Sequence, residues 1–224
     1  MLFAYFDKVY VINLVHRTDR RRETEAELRK INAKAEFFSA LRFTKAAPFH
    51  RVGSRGSFMS HLAVLERARG SRNVLMLEDD IAFYPESTSA LKRLPSDWGI
   101  FYGSYNFGLA PTDFPFTTVP PESELVGAQF VAVNGYVIEP LIEAMEGYLS
   151  RPRDHPDGGP TPFEGTINVF RQQNPQFPVY AATPVMGRQR ASRSDCAERK
   201  WFDNALTAPF IDMARKIKNK IASS

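Results

Sequence analysis

Val74-Leu-Met-Leu-Glu-Asp-Asp-Ile81 decides the reading of this chain. Four consecutive apolar residues are too few for a helix and read as a short strand covered on both faces, as in the centre of an α/β sheet. Three acids follow without a break. In open α/β sheets ligands gather outside the carboxyl ends of the strands, so this strand delivers Glu78, Asp79 and Asp80 to the place where chemistry is expected. Adjacent carboxylates repel one another and need a compensating cation or raised pKa values. Either one solvated acid caps a plain strand end, or the acids hold a divalent ion. The second reading accounts for all three, because hard oxygen ligands at a strand end suit Mg²⁺ or Mn²⁺ held together with substrate phosphates.

Upstream, Lys8-Val-Tyr-Val-Ile-Asn-Leu14 predicts another buried strand, followed by a helix over 19–33 capped by Thr18 or Asp19. Arg20, Arg21 and Arg22 fall in its first turn, where the dipole disfavours cations by ~0.3–1 kcal/mol each. They are either a solvated basic surface or cations facing an anion. Residues 36–41 predict a strand. The Gly/Ser/Arg segment 52–57 opens a helix with Phe58, Leu62 and Leu65 on one face, ended by Gly70. Downstream the pattern predicts a short helix over 88–94, a strand over 98–102 and strand segments at 130–133 and 135–138. A helix follows from Pro140 to 149, then one over 165–173 and a strand over 179–182. Two Pro-rich loops, 107–123 and 151–162, interrupt this series, and long loops of this kind serve as lids or binding loops. The alternation predicts an α/β fold with a Rossmann-like, mostly parallel central sheet flanked by helices.

Residues 209–224 keep a helical period through Phe210, Met213, Ile217 and Ile221, with Arg215, Lys216, Lys218 and Lys220 interleaved. The cations sit where a helix dipole favours them; the other reading is a basic amphipathic helix lying on an anionic membrane. The expected organisation is one domain over 1–208 with this segment as a tail.

Composition bounds the function. The 224 residues are 43% hydrophobic and 24% charged, enough for one sizeable core without staples. A net charge of +4 is too mild to announce a nucleic-acid partner but permits an anionic substrate. Cys196 stands alone, so no internal disulfide forms, which fits a reducing compartment. Asp7 and Lys8 interrupt the apolar start, and no apolar run has membrane-spanning length. The expected location is the cytoplasm, with peripheral contact at the inner membrane face if the C-terminal segment binds lipid. No G-x-S-x-G, Walker A loop or G-x-G-x-x-G is present. His61 reads equally as a structural histidine and as a ligand contact, and the strip Arg188, Gln189, Arg190, Arg193 as solvated surface or as phosphate or acceptor contacts.

Four segments, in order, resemble glycosyltransferase family 25, the lipooligosaccharide-type sugar transferases. Tyr10-Val-Ile-Asn-Leu14 with Arg17 and Asp19-Arg-Arg21 is similar to the family's opening V-x-V-I-N-L and R-x-D-R-R. Gly56-Ser-Phe-Met-Ser-His61 is similar to G-C-x-x-S-H, with Ser57 at the cysteine position. Leu77-Glu-Asp-Asp80 matches L-E-D-D, and Pro184 to Gln189 with Ser192 is similar to the closing P-x-x-x-x-Q…S. Ser54 and Arg55 depart from the family's usual Glu and apolar residue, and Glu164 stands where a late Asp is common.

The resemblance implies a GT-A-like single domain, a UDP-sugar donor and inversion at the anomeric carbon. It implies metal at Asp80 with Glu78 or Asp79, binding the donor diphosphate. Asn13 and Leu14 would lie beside the nucleotide base and Arg17 near ribose or phosphate, with Arg21 assisting; Ser60, His61, Glu78, Asp79 and Gln189 complete the expected donor site. The acceptor would be a glycan or glycolipid, as in lipopolysaccharide or surface polysaccharide synthesis, and the sugar a hexose such as galactose. An inverting transfer needs a base for the acceptor hydroxyl. Glu164, between a loop and a helix, is the first candidate and Asp157 the second; as a plain structural feature Glu164 is an acid stabilised at a helix N-terminus. The departures motivate an alternative, a nucleotide-sugar- or glycan-binding relative without turnover.

Overall fold

The run at 74–77 forms β3 (Asn73–Glu78), and its first five residues are buried. The computed structural model describes residues 2–106 and 113–190. The other sheet strands are β1 (Lys8–Asn13), β2 (Glu36–Ser39), β5 (Ile100–Ser104), β6 (Phe116–Thr118), β7 (Phe130–Asn134) and β8 (Val179–Ala182), in the order β2-β1-β3-β7-β5-β8-β6. β1 pairs parallel with both β2 and β3, and β5 with β8, while β7 runs antiparallel between β3 and β5 and β6 antiparallel to β8. Five of the seven strands therefore share one direction, as the alternation of elements predicts. A separate antiparallel ribbon joins β4 (Ile81–Phe83) to β9 (Gly187–Gln189).

Side-chain alternation divides the core between the two faces of the sheet. Tyr10, Ile12, Met76, Val131 and Val133 meet α2 (Val52–Arg67), α4 (Gly135–Leu149) and α5 (Phe163–Gln173) through Phe58, Leu62, Leu141, Ile142 and Ile167. Val11, Leu75, Leu77, Phe130 and Ala132 meet Leu28 and Ile31, in and just after α1 (Thr18–Lys30), with Phe3, Phe6 and Trp98. Each such side chain, fully buried, contributes ~1.5–3 kcal/mol. Much of the phenylalanine lies here: Phe130 takes Phe3, Phe83 and Phe101 edge-on. Gly103 lets this cluster close, since a Cβ there would stand 2.6 Å from the Phe130 ring.

Local readings change in four places. Residues 135–138 are the first turn of α4, not a strand, so the helix begins before Pro140. The cause is tertiary. A Cβ at Gly135 would lie 2.5 Å from the Ser71 carbonyl oxygen, and the Gly135 N–H donates to Arg72 O at 2.8 Å, so the chain turns there. Val137, Ile138, Leu141, Ile142 and Met145 then form the buried stripe. The first helix stops at Lys30, with Asn32 at φ 47°. The segment expected as one helix over 88–94 is a short α3 (Pro85–Thr88) and a 3-10 turn, Ser89–Arg93. Within the expected loop 107–123, β6 forms an edge strand. Ser192, Cys196, Arg193 and the 209–224 segment lie outside the described residues.

Candidate active site

The carboxyl ends of β1 and β3, the N-terminal half of α2 and the start of α5 enclose a cleft of about 640 Å³. Its lining includes Leu14, Ser60, His61, Glu78, Asp79, Asp80, Glu164 and Gln189. Eight residues quoted from the sequence thus converge on one cavity, although they come from five parts of the chain.

The acidic turn is fixed from behind. Asp79 accepts from Asn13 Nδ2 on Oδ2 and from Arg20 on Oδ1, both at 2.7 Å. Its backbone oxygen accepts from Thr24 Oγ1 at 2.7 Å and from Arg190 at 2.6 Å. Arg190, also bonded to Glu23 at 2.8 Å, is buried and turned inward; it is a clamp on the turn, not a surface cation. Asp80 is held on one oxygen only: Gln189 Nε2 donates to Oδ2 at 3.1 Å, and Arg20 approaches the same atom at 3.4 Å. Asp80 Oδ1 is buried with no hydrogen-bond partner. Such an orphaned acceptor is costly unless a ligand completes it.

Electrostatics follow the crowding. Glu78 is pushed up to about 8, first by burial and then by the charges of Asp80, Asp79 and Glu164, with Arg20 opposing. Burial likewise raises Asp80, against Arg20 and the Gln189 hydrogen bond. The residues fit a hard divalent cation: two carboxylates are unfavourable as anions without one, and one of their oxygens is unpartnered. Among the described residues no group of three or more His, Cys, Asp or Glu side chains gathers to hold a metal alone.

Glu164, in the first turn of α5, accepts the Gly127 N–H on Oε2 at 3.0 Å. Gly127 sits at φ 102°, and the chain there is held by α5 residues one and two turns further on. Asn168 pairs with Leu125 N and O at 3.2 and 2.9 Å, and buried Arg171 donates to Pro120 O and Ser123 O at 3.1 and 3.2 Å. Glu164, Asn168 and Arg171 thus staple the 120–127 segment against the cleft. His61 is 1% exposed, and its ring stacks on Phe163 at 3.9 Å. Its Nδ1 donates to Ser57 O at 2.9 Å, and burial lowers its pKa to about 4, so the ring is neutral. Ser60 accepts the Leu41 N–H at 2.8 Å and shapes the cleft wall.

Other expected residues stand elsewhere. Asn13 lies directly beneath the cleft through its bond to Asp79. Arg17 pairs with Asp19 at 2.9 Å and does not line the cleft. Arg21 points to the outer surface, paired with Glu25 at 3.1 Å and lying over Phe37. Asp157 is exposed, beside His155, and outside the cleft lining. Arg20 is the member of the arginine trio that faces the acids. The signal for it was present: Arg20, Thr24, Glu27 and Ile31 share one helical stripe, and Thr24 and Glu27 are buried.

No family model and no curated protein matches the chain. Among solved structures it is similar to a glycosyltransferase involved in the glycosylation of the major capsid of PBCV-1. The identity is 12% and the TM-score 0.49, over 92% of this chain and 98% of that one. It is also similar to a Drosophila β-1,4-galactosyltransferase 7 in complex with manganese, UDP-Gal and xylobiose. Here the identity is 10% and the TM-score 0.46, over 88% of this chain and 76% of that one. A nucleoside-diphosphate-sugar pyrophosphorylase from Vibrio cholerae matches at 16% identity and TM-score 0.38, over 80% and 74% of the two chains.

Proposed function

We propose that the protein is an inverting, metal-dependent glycosyltransferase of GT-A-like fold that moves a hexose from a UDP-sugar to a glycan or glycolipid acceptor. One observation carries the reading. An acidic turn at the end of a central strand is clamped from behind so that Asp80 Oδ1 is left unpartnered on a cleft that Glu164 also lines. The ordered resemblance to family 25 supports the same reaction and points to galactose and to a surface glycan such as lipopolysaccharide.

Asp80 and Glu78 would hold Mn²⁺ or Mg²⁺, whose bound charge offsets that of the leaving diphosphate. Asp79 is spent on Asn13 and Arg20 and acts by fixing the turn. Leu14 and the end of β1 supply the wall for the base. The acceptor oxygen attacks the anomeric carbon as the bond from that carbon to the diphosphate oxygen breaks, through an oxocarbenium-like state. Glu164 takes the hydroxyl proton, with Oε2 anchored by Gly127 and Oε1 available. The products are the inverted glycoside, the nucleoside diphosphate and a protonated Glu164.

Calorimetric titration of UDP into the protein tests the site: binding is tighter with Mn²⁺ than with a chelator, and Asp80→Ala removes the difference. Metal-independent UDP binding contradicts it. A second reading, a nucleotide-sugar-binding protein without turnover, is favoured by the use of Glu164 as a staple. It predicts the same titration with no transfer across a panel of donors and acceptors.

A further inference from the structure

The cleft mouth has a composition that its floor does not explain. The described residues expose six large hydrophobic side chains; three line this opening and a fourth adjoins it in the chain. Leu41 (37% exposed), Val52 (39%) and Val126 (41%) line it, and Val15 (71%) lies between the lining residues Leu14 and His16. Arg42 and Arg51 are exposed on the same rim and have no ion-pair or hydrogen-bond partner for their side chains among the described residues. No exposed residue that lines the cleft is acidic; its acids are all on the floor or on α5.

The charge is local in the chain as well. Residues 37–65 contain Arg42, Lys45, Arg51 and Arg55 and no Asp or Glu. Of these four cations Arg42 and Arg51 line the cleft, so the mouth carries positive charge with no acid near it in sequence. Arg55 is used internally, stacked over Phe43 and bonded to Lys45 O and Ala47 O, which fixes the loop that presents Arg42.

Exposed aliphatic side chains interleaved with unpaired cations match an anionic lipid interface. Headgroups attract the guanidinium groups within a Debye length, and aliphatic groups enter the headgroup–acyl boundary. A soluble anionic saccharide would be matched by the cations but would leave four hydrophobic side chains in water. We infer that the mouth of the cleft, formed by Val15, Leu41, Arg42, Arg51, Val52 and Val126, docks on an anionic membrane surface. The cleft then opens toward an acceptor held in that surface. The surface's purpose rests on the glycosyltransferase reading; its existence does not, because membrane binding is measured without substrate.

The test is flotation of the full chain with phosphatidylcholine vesicles containing equal phosphatidylglycerol, against phosphatidylcholine alone. The chain floats with the anionic vesicles and less so at high salt. Arg42→Glu with Arg51→Glu weakens partitioning about twenty-five-fold or more, at roughly fivefold per cation near the surface. Val15→Ser with Val52→Ser weakens it as well. All four side chains are exposed, and thermal melts confirm folding. Lys216→Glu, Lys218→Glu and Lys220→Glu together provide the comparison for the C-terminal segment. The inference is overturned if no variant of the mouth alters flotation, if the chain does not float, or if only the C-terminal variant abolishes it. Loss on arginine reversal with no effect of the two serines also overturns it, because that result describes an anion site and not a lipid surface. Failure of flotation leaves the UDP titration unaffected, so the two readings fail separately.

Discussion

His61 should make the protein acid-labile over a defined interval. The ring is sealed against Phe163, and its Nδ1 proton is committed to Ser57 O, so protonation of Nε2 places a charge where no partner waits. The folded value is about 4 against an ordinary 6.5. Between these values the unfolded chain binds a proton that the folded chain refuses, and stability therefore rises with pH. The contribution is full above the unfolded value and is lost as pH falls toward the folded one. Linkage puts the loss at about 2 kcal/mol between pH 7 and pH 5 and about 3 kcal/mol by pH 4. Urea unfolding of the native chain and of His61→Gln at pH 7 and pH 5 measures it. The variant has less stability at pH 7, because it loses the stack, but its decline to pH 5 is shallower by about 2 kcal/mol. Other groups titrate in both proteins and cancel in the difference. Parallel declines would refute the argument, and with it the sealed, neutral histidine.

Arg20→Ala leaves Asp79 buried without its cation and lowers unfolding free energy by about 3 kcal/mol, with partial recovery in Arg20→Lys; chemical denaturation reads both. Arg171→Met strips Pro120 O and Ser123 O of their donor, costs about 1–3 kcal/mol, and makes the 120–127 segment cleave faster in limited proteolysis. Gly135→Ala drives a methyl into the Ser71 carbonyl and destabilises the turn into α4, seen as a lowered melting temperature.

The sheet was legible wherever burial on both faces writes a continuous apolar run, as at 9–12 and 74–77, and the α2 helix wherever a stripe repeats at helical period. Tyr136, Val137 and Ile138 defeated that logic. Aromatic and β-branched residues favour strands, but the contact of Gly135 with the 71–72 backbone forces the chain to turn, and no local pattern encodes it. The acidic turn was legible as a site but not in its division of labour. Asp79 is turned away from ligand duty by Asn13 and Arg20, which lie 66 and 59 positions away in sequence. Arg21 and Arg20 are equivalent in composition and differ only in helical phase: Thr24 and Glu27 mark the inner stripe, and Arg21 lies off it. Asp157, the second candidate, lies in the 151–162 loop, and position in a loop does not determine which wall a side chain faces.

Release of UDP from UDP-sugars, with Mn²⁺ and with a chelator, in the native chain and in Asp80→Ala, tests the central claim most directly. The account predicts metal-dependent release, abolished by the chelator and restored by added Mn²⁺. In Asp80→Ala release falls at least about a hundredfold, the scale for loss of electrostatic stabilisation of the leaving group. Full release by Asp80→Ala in the presence of chelator would contradict it.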